Sequence, residues 1–117
     1  MARMYFYDRL DEMECLAGDT LPCFVVGVET AEGETLDGCT MQLLLAPWDE
    51  PERAAVSKTC TATEDGKGFA VTLTSTDTAG LAGVFRLHFC LTNAAGLHQR
   101  KLAGVLTVRA CVQGGAV

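Results

Sequence analysis

Within "FRLHFCL", His88 and Cys90 stand two residues apart. On a strand that spacing puts both side chains on one face, about 6.5–7 Å apart. A histidine and a thiolate there could begin a metal site, with Cys111 on a neighbouring strand as a third ligand. Zinc takes four protein ligands, or three and a water, and spacing secures only the pair. Cys90 and Cys111 could instead bridge. The six cysteines, at 15, 23, 39, 60, 90 and 111, contain no Cys-x-x-Cys, so neither a zinc ribbon nor a dithiol redox motif is written here.

Nucleophilic catalysis needs a nucleophile, a base and an orienting group. The serines are Ser57 and Ser75 and the histidines His88 and His98, and no Gly-x-Ser-x-Gly elbow surrounds either serine. Paired carboxylates at Asp11-Glu12, Asp49-Glu50 and Glu64-Asp65 all fall in expected turns, where solvated charge is the ordinary reading. No Gly-x-Gly-x-x-Gly or Gly-Lys-Thr follows a strand pattern, so no phosphate cradle is expected. The expectation is a protein without catalytic residues, metal or cofactor.

Charge narrows the partners. Fifteen acidic residues against nine Lys and Arg give a net charge of −6, a field that repels a phosphate backbone. No apolar run approaches the roughly 18 residues that span a bilayer. Arg3, Asp8 and Arg9 come too early for a secretory apolar segment, so no signal peptide is expected and the thiols are expected to be reduced, small hydrophobic residues. One or two bridges, or a metal, are the alternatives.

The elements that must position these residues read almost entirely as strands. Met41, Leu43 and Leu45 alternate with Thr40, Gln42 and Leu44, and Phe69, Val71 and Leu73 alternate with Ala70, Thr72 and Thr74. Phe85, Leu87, Phe89 and Leu91 alternate with Val84, Arg86, His88 and Cys90. Period-two apolar runs are the mark of half-buried strands. The pattern predicts strands near 4–8, 21–30, 40–46, 57–63, 68–74, 84–93 and 97–109. Asn93-Ala94-Ala95-Gly96 suits a hairpin loop in which Gly96 takes positive φ. Seven short strands without intervening helices predict an all-β, two-layer antiparallel sandwich, with a small closed barrel as runner-up.

Thr76 through Leu81 reads as a crossover between sheets, with Thr76 or Asp77 capping one helical turn and Leu81 plugging the end of the core. A second turn of helix is expected at Glu52–Ala55, after Pro51. The chain is expected to form a single domain over residues 1–113, with 114–117 a loose tail.

Two apolar features suggest partner contacts. Tyr5, Phe6 and Tyr7 put aromatics on both faces of an expected edge strand, and Trp48 sits between Pro47 and Pro51 in an acidic loop. Trp48 could equally fold over the end of its own core.

The run "VTLTSTDTAGLAGVFRLHFCLTNAAGLHQRKLAGVLTV" resembles small immunoglobulin-like domains of tailed-phage and prophage structural proteins. It is most similar to the N-terminal domain family of the phage baseplate upper protein. Gly18-Asp19-Thr20 matches that family's entry into an early strand, and Leu36-Asp37-Gly38 a step before the next. Leu73 through Phe85 follows its entry into the long hairpin, Asn93-Ala94-Ala95-Gly96 its turn, and Leu102 through Val108 its close. The resemblance spans residues 17–109 and its motifs are structural. It implies an immunoglobulin-like sandwich and a non-enzymatic role in a phage tail or baseplate. It also implies partners among phage structural proteins or further copies of the chain, and a life in the bacterial cytoplasm during assembly and then in the virion. The alternative is a host module binding carbohydrate or protein through Trp48 and its loop.

Overall fold

The computed structural model describes residues 3–6, 12–21, 23–30, 33 and 35–110. Among them the chain forms β1 (Arg3–Phe6), β2 (Glu12–Leu16), β3 (Phe24–Glu29), β4 (Thr40–Pro47), β5 (Val56–Thr59), β6 (Thr61–Ala62), β7 (Gly68–Val71), α1 (Ser75–Ala79), β8 (Gly83–Thr92) and β9 (His98–Arg109). The strands make two sheets, ordered β1-β3-β7-β6 and β2-β9-β8-β4-β5. The architecture is an immunoglobulin-like β-sandwich.

Its core follows from the alternation. In the centre of the five-stranded sheet Met41 pairs with Leu91, Leu43 with Phe89 and Leu45 with Leu87. Met41, Leu43, Leu45, Leu87 and Phe89 are fully buried, as are Val26 of β3 and Leu106 of β9. Burying each such side chain contributes about 1.5–3 kcal/mol, so this central block dominates the stability. Gly68 is where the four-stranded sheet is tightest: a Cβ there would lie 2.3 Å from the Val26 carbonyl oxygen.

The strand count differs from seven because of where the chain changes sheets. The expected strand 57–63 breaks at Cys60, so that β5 belongs to the larger sheet and β6 to the smaller. Cys60 is buried at the crossing, its amide donating to Met41 O at 2.8 Å. β2 was not expected, and it pairs parallel with β9 from Glu12↔Val105 to Leu16↔Arg109, the one departure from antiparallel pairing among the described residues. Of the expected strand 4–8, residues 7 and 8 lie outside the described residues, as does the 114–117 tail. Residues 51–55 form turns rather than helix, with Arg53 N–H donating to Glu50 O.

The crossover from β7 to β8 holds α1, and its cap is Thr74 rather than Thr76 or Asp77. Thr74 keeps extended backbone (φ −85°, ψ 169°) and its hydroxyl accepts from the Asp77 amide, while the Asp77 carboxylate accepts from the Thr74 amide at 2.8 Å. Asp77 is therefore the reciprocal partner of a capping box. A five-residue helix has little stability of its own, so it is held from outside. Thr78, the one fully buried polar side chain among the described residues, donates its hydroxyl to Asp19 O at 2.7 Å and accepts from Gly18 N–H at 3.0 Å. Thr20 Oγ1 accepts from the Ser75 amide. Leu81 is buried at the end of the core, as expected. The Gly-Asp-Thr segment and the crossover are thus one clamp.

Both flanks of the sandwich are closed by lysines. Lys58 lies opposite the buried Leu43, and its Nζ crosses to the Thr72 carbonyl (2.6 Å) and the Asp77 carboxylate (2.5 Å). On the opposite flank Lys101 Nζ donates to Met4 O at 2.9 Å. Val28 sends its N–H to Lys67 O on the β7 side. Its pairing partner Met4 therefore turns its backbone groups to the free edge of β1. Edge strands carrying lysine resist pairing with other chains.

Candidate interaction surface

With core positions facing inward, the even-numbered residues of β8 face outward, and register extends them into rows across three strands. The rows are Ala46–Arg86–Val105, Leu44–His88–Leu102, Gln42–Cys90–Arg100 and Thr40–Thr92–His98. Across these three strands the rows carry no carboxylate, and β2 adds Glu12 at the register position beside Val105. Beyond them Val84 lies opposite Thr107, and on β2 Glu14 is ion-paired with Arg109. A bulge between Leu87 and His88 shifts the register against β9, and it brings Leu102 rather than Ala103 opposite His88.

This face is apolar and cationic together. Val84 (44%) and Leu102 (50%) are exposed, Leu44 is half-buried, and Cys90 is buried without joining the inter-sheet core. His88 is held below the ordinary histidine range, first by burial and then by the charges of Arg86 and Arg100. Its neutral form is favoured because a charge there would be partly desolvated and would stand beside two other cations.

Trp48 closes one end of the face. Its amide donates to Val84 O at 2.9 Å, and its ring lies 4.1 Å from the Arg86 guanidinium carbon. Arg86 Nη2 also donates to Trp48 O at 3.4 Å, while Arg86 Nε is buried with no hydrogen-bond partner among the described residues. Trp48 is 48% exposed. A cation over an indole face stabilises by about 0.5–1 kcal/mol at an exposed site and holds both side chains in place.

The four expected contact residues do not form one site. Trp48 belongs to the five-stranded sheet, whereas Tyr5 and Phe6 lie on β1, an edge of the other sheet, paired with Gly27 and Val26. Tyr7 lies outside the described residues. Leu44, Val84, Arg86, Arg100 and Leu102 were not singled out as contact residues, although the alternation sets Leu44, Val84 and Arg86 opposite the core side of their strands.

Three of the remaining chemical candidates have structural partners. His98 Nδ1 is 2.9 Å from Thr92 Oγ1. Asp65 accepts from Thr63 Oγ1 and the Lys67 amide within its own turn, which holds its carboxyl below the ordinary range. Glu50 is ion-paired with Arg53. Among the described residues no group of three metal-ligating side chains comes together, and Cys111 lies outside them. Cys15, Cys23, Cys39, Cys60 and Cys90 carry free thiols. No helix among the described residues is long and apolar enough to cross a membrane.

No family model matches the chain, and no curated protein matches its sequence. Among solved structures, it is similar to the fibronectin(III)-like modules of CbhA from Clostridium thermocellum. There the TM-score is 0.50 at 14% identity, covering 94% of this chain and 99% of that one. This likeness bears on the fold alone. AggA, the major subunit of aggregative adherence fimbriae type I from Escherichia coli, matches at a TM-score of 0.39 and 11% identity over 95% of each chain, too distant to carry any argument.

Proposed function

We propose that the chain is a non-enzymatic interaction module of a phage or prophage particle, associated with the tail or baseplate and acting by protein–protein docking. The observation that carries the docking half is the outward face of the five-stranded sheet, where the exposed apolar side chains of Val84 and Leu102 lie with Arg86 beside an exposed Trp48. The particle setting rests on the resemblance of Gly18–Thr20, Leu73–Phe85, Asn93–Gly96 and Leu102–Val108 to phage immunoglobulin-like domains. In this reading residues 1–113 fold as one domain, made in the bacterial cytoplasm and carried into the virion.

The test is mass spectrometry of particles purified from the source strain after prophage induction. Peptides of this chain at a fixed ratio to a known tail protein support the reading. Purified particles that lack the chain refute its structural role. A host binding module for carbohydrate is favoured by the half-exposed indole alone. Quenching of Trp48 fluorescence across a broad glycan panel tests it, and no response on any glycan removes it.

A further inference from the structure

The end of the outward face away from Trp48 carries positive charge only. Its three rows, from Leu44–His88–Leu102 to Thr40–Thr92–His98, hold Arg100 and two histidines and, among the described residues, no carboxylate. The whole chain, by contrast, has fifteen acidic residues and a net charge of −6. β5 extends two of these rows with Ser57 and Thr59, and β2 does not reach them, since it joins β9 only from Val105 onward. We propose that this end of the face docks an acidic, extended segment of a partner protein, with an apolar side chain over Leu102 and a carboxylate over Arg100. The proposal rests on the docking reading, which it deepens by naming the partner's chemistry, and not on the particle setting.

Charge complementarity selects the occupant. Arg100 is exposed and has no ion-pair partner among the described residues. Lys101, next to it on β9, adds a second cation on the flank, where its Nζ donates to Met4 O. The described carboxylates stand off from Arg100. Glu12 lies beside Val105, five residues along β9, or about 17 Å away. Asp49 and Glu50 follow Trp48, whose amide bonds to Val84, six residues or about 20 Å along β8 from Cys90. Asp37, in the turn before β4, lies at the opposite corner of the patch from Leu102. The screening length at physiological salt is about 8 Å, so the net negative charge of the chain is largely screened here and the local cations decide what binds. One arginine is too little charge for a phosphate backbone, which leaves a protein carboxylate.

Spacing and size point to an extended segment. The outward residues Leu102, Arg100 and His98 stand two apart on β9, about 6.5–7 Å between neighbours, which is also the repeat of alternate side chains on an extended peptide. A segment laid along β9 therefore meets them with every second residue, one apolar and then two acidic. Leu102 is 50% exposed and offers the apolar contact, with Leu44 half-buried in the same row. Thr92 Oγ1 occupies His98 Nδ1, which leaves Nε2 for the second carboxylate. From the Leu102 row to the His98 row is about 13 Å, the length of four or five extended residues. A footprint of that size holds a short segment reversibly and lies below the area of a stable interface between domains.

Amide NMR of the full chain tests this in about 0.05 M NaCl. The probe is the peptide Gly-Leu-Ser-Glu-Ser-Glu-Gly, blocked at both ends, at up to about 5 mM. The expected result is a saturable shift of amides within residues 86–92 and 98–103, with a Kd of roughly 0.1–1 mM. The same peptide with glutamine for glutamate binds roughly tenfold more weakly, and Arg100→Gln weakens the glutamate peptide by a similar factor. Leu102→Ser, a change at an exposed position, weakens it roughly threefold or more. Lys67→Gln, which removes the same charge in the turn between β6 and β7, leaves it unchanged. An absence of shifts, shifts confined to other strands, or equal binding of the glutamine peptide or of one with lysine for glutamate overturns the proposal. Amide shifts that follow protein concentration alone overturn it as well, because they give the face to a second copy. Failure here leaves the Val84–Trp48 end of the face and the particle test as they stand, so the readings fail separately.

Discussion

Replacing Asp77 by alanine probes the clamp that carries the chain from one sheet to the other. The carboxylate accepts from the Thr74 amide and hydroxyl and from Lys58 Nζ, so three contacts go at once. Loss of the reciprocal half of the capping box costs about 1 kcal/mol. Lys58 and Asp77 are 30% and 23% exposed, so their ion pair adds only about 0.5–1 kcal/mol. Lys58 keeps the Thr72 carbonyl as a partner, which avoids the penalty of an unpaired buried charge. The total is about 2 kcal/mol, or a melting temperature lower by roughly 6–10 °C for a domain of this size. Thermal melts of wild type, Asp77→Ala, Lys58→Met and the double variant give the coupling between the two side chains. It is expected at about 0.5–1 kcal/mol. Acid supplies a second axis. Lys58 first, then the Thr74 amide, holds the Asp77 carboxyl below its ordinary value. The folded state therefore binds this proton less readily than the unfolded state does. The contribution is complete above the ordinary carboxylate pKa of about 3.9 and is lost as pH falls through the folded value, so the gap between wild type and Asp77→Ala narrows there. A melting temperature within about 2 °C of wild type would refute the ledger, and a coupling of zero would refute the ion pair.

The other predictions concern the core, the thiols and the indole. Gly68→Ala must displace the Val26 carbonyl and is expected to cost about 1–3 kcal/mol, whereas Gly80→Ala meets nothing within 4 Å and is expected to be neutral or to gain up to about 1 kcal/mol. Equal melting temperatures for the two variants would contradict that packing. Burial pushes the Cys60 thiol up to about 12 and raises Cys15, while Cys23 is exposed. Iodoacetamide labelling of the native protein, mapped by peptide mass spectrometry, should therefore modify Cys23 well before Cys60. The reverse order would mean the sheet crossing at Cys60 is open. Arg86→Ala removes the cation over the only tryptophan, so the emission of Trp48 should shift in intensity or wavelength. An unchanged spectrum would show that the two side chains are apart in solution.

What the sequence disclosed, and what it withheld, divides along the range of the interactions. The alternation of Met41, Leu43 and Leu45 and of Phe85, Leu87, Phe89 and Leu91 located β4 and β8 because period two is a local property of a half-buried strand. Gly96 at φ 86° in the hairpin loop was legible for the same reason. The division of 57–63 at Cys60 was not, since a residue cannot announce which of two sheets its neighbours will join. Nor was β2, a short strand whose reason for existing is β9, about ninety positions away. The capping box was written in the sequence as Thr74-x-x-Asp77 and was placed two or three residues late. The contact of Trp48 with Arg86, 38 residues apart, depends on β4 and β8 being neighbours.

The pairing of β2 with β9 also sets a timetable for the chain as it is made. Leu16 finds its partner in Arg109, so β2, made about ninety residues before β9, has no sheet to join until that strand arrives. Until then β8 also lacks a neighbour on the flank where β9 will lie, and the apolar faces of Phe85, Leu87 and Phe89 are only half covered. Contacts this distant in sequence slow folding and lengthen the interval in which apolar surface is available to other chains. Synthesis halted before residue 105 would leave a fragment with a homeless strand and an open core. Such a fragment is expected to be a substrate for chaperones or proteases rather than a smaller working domain.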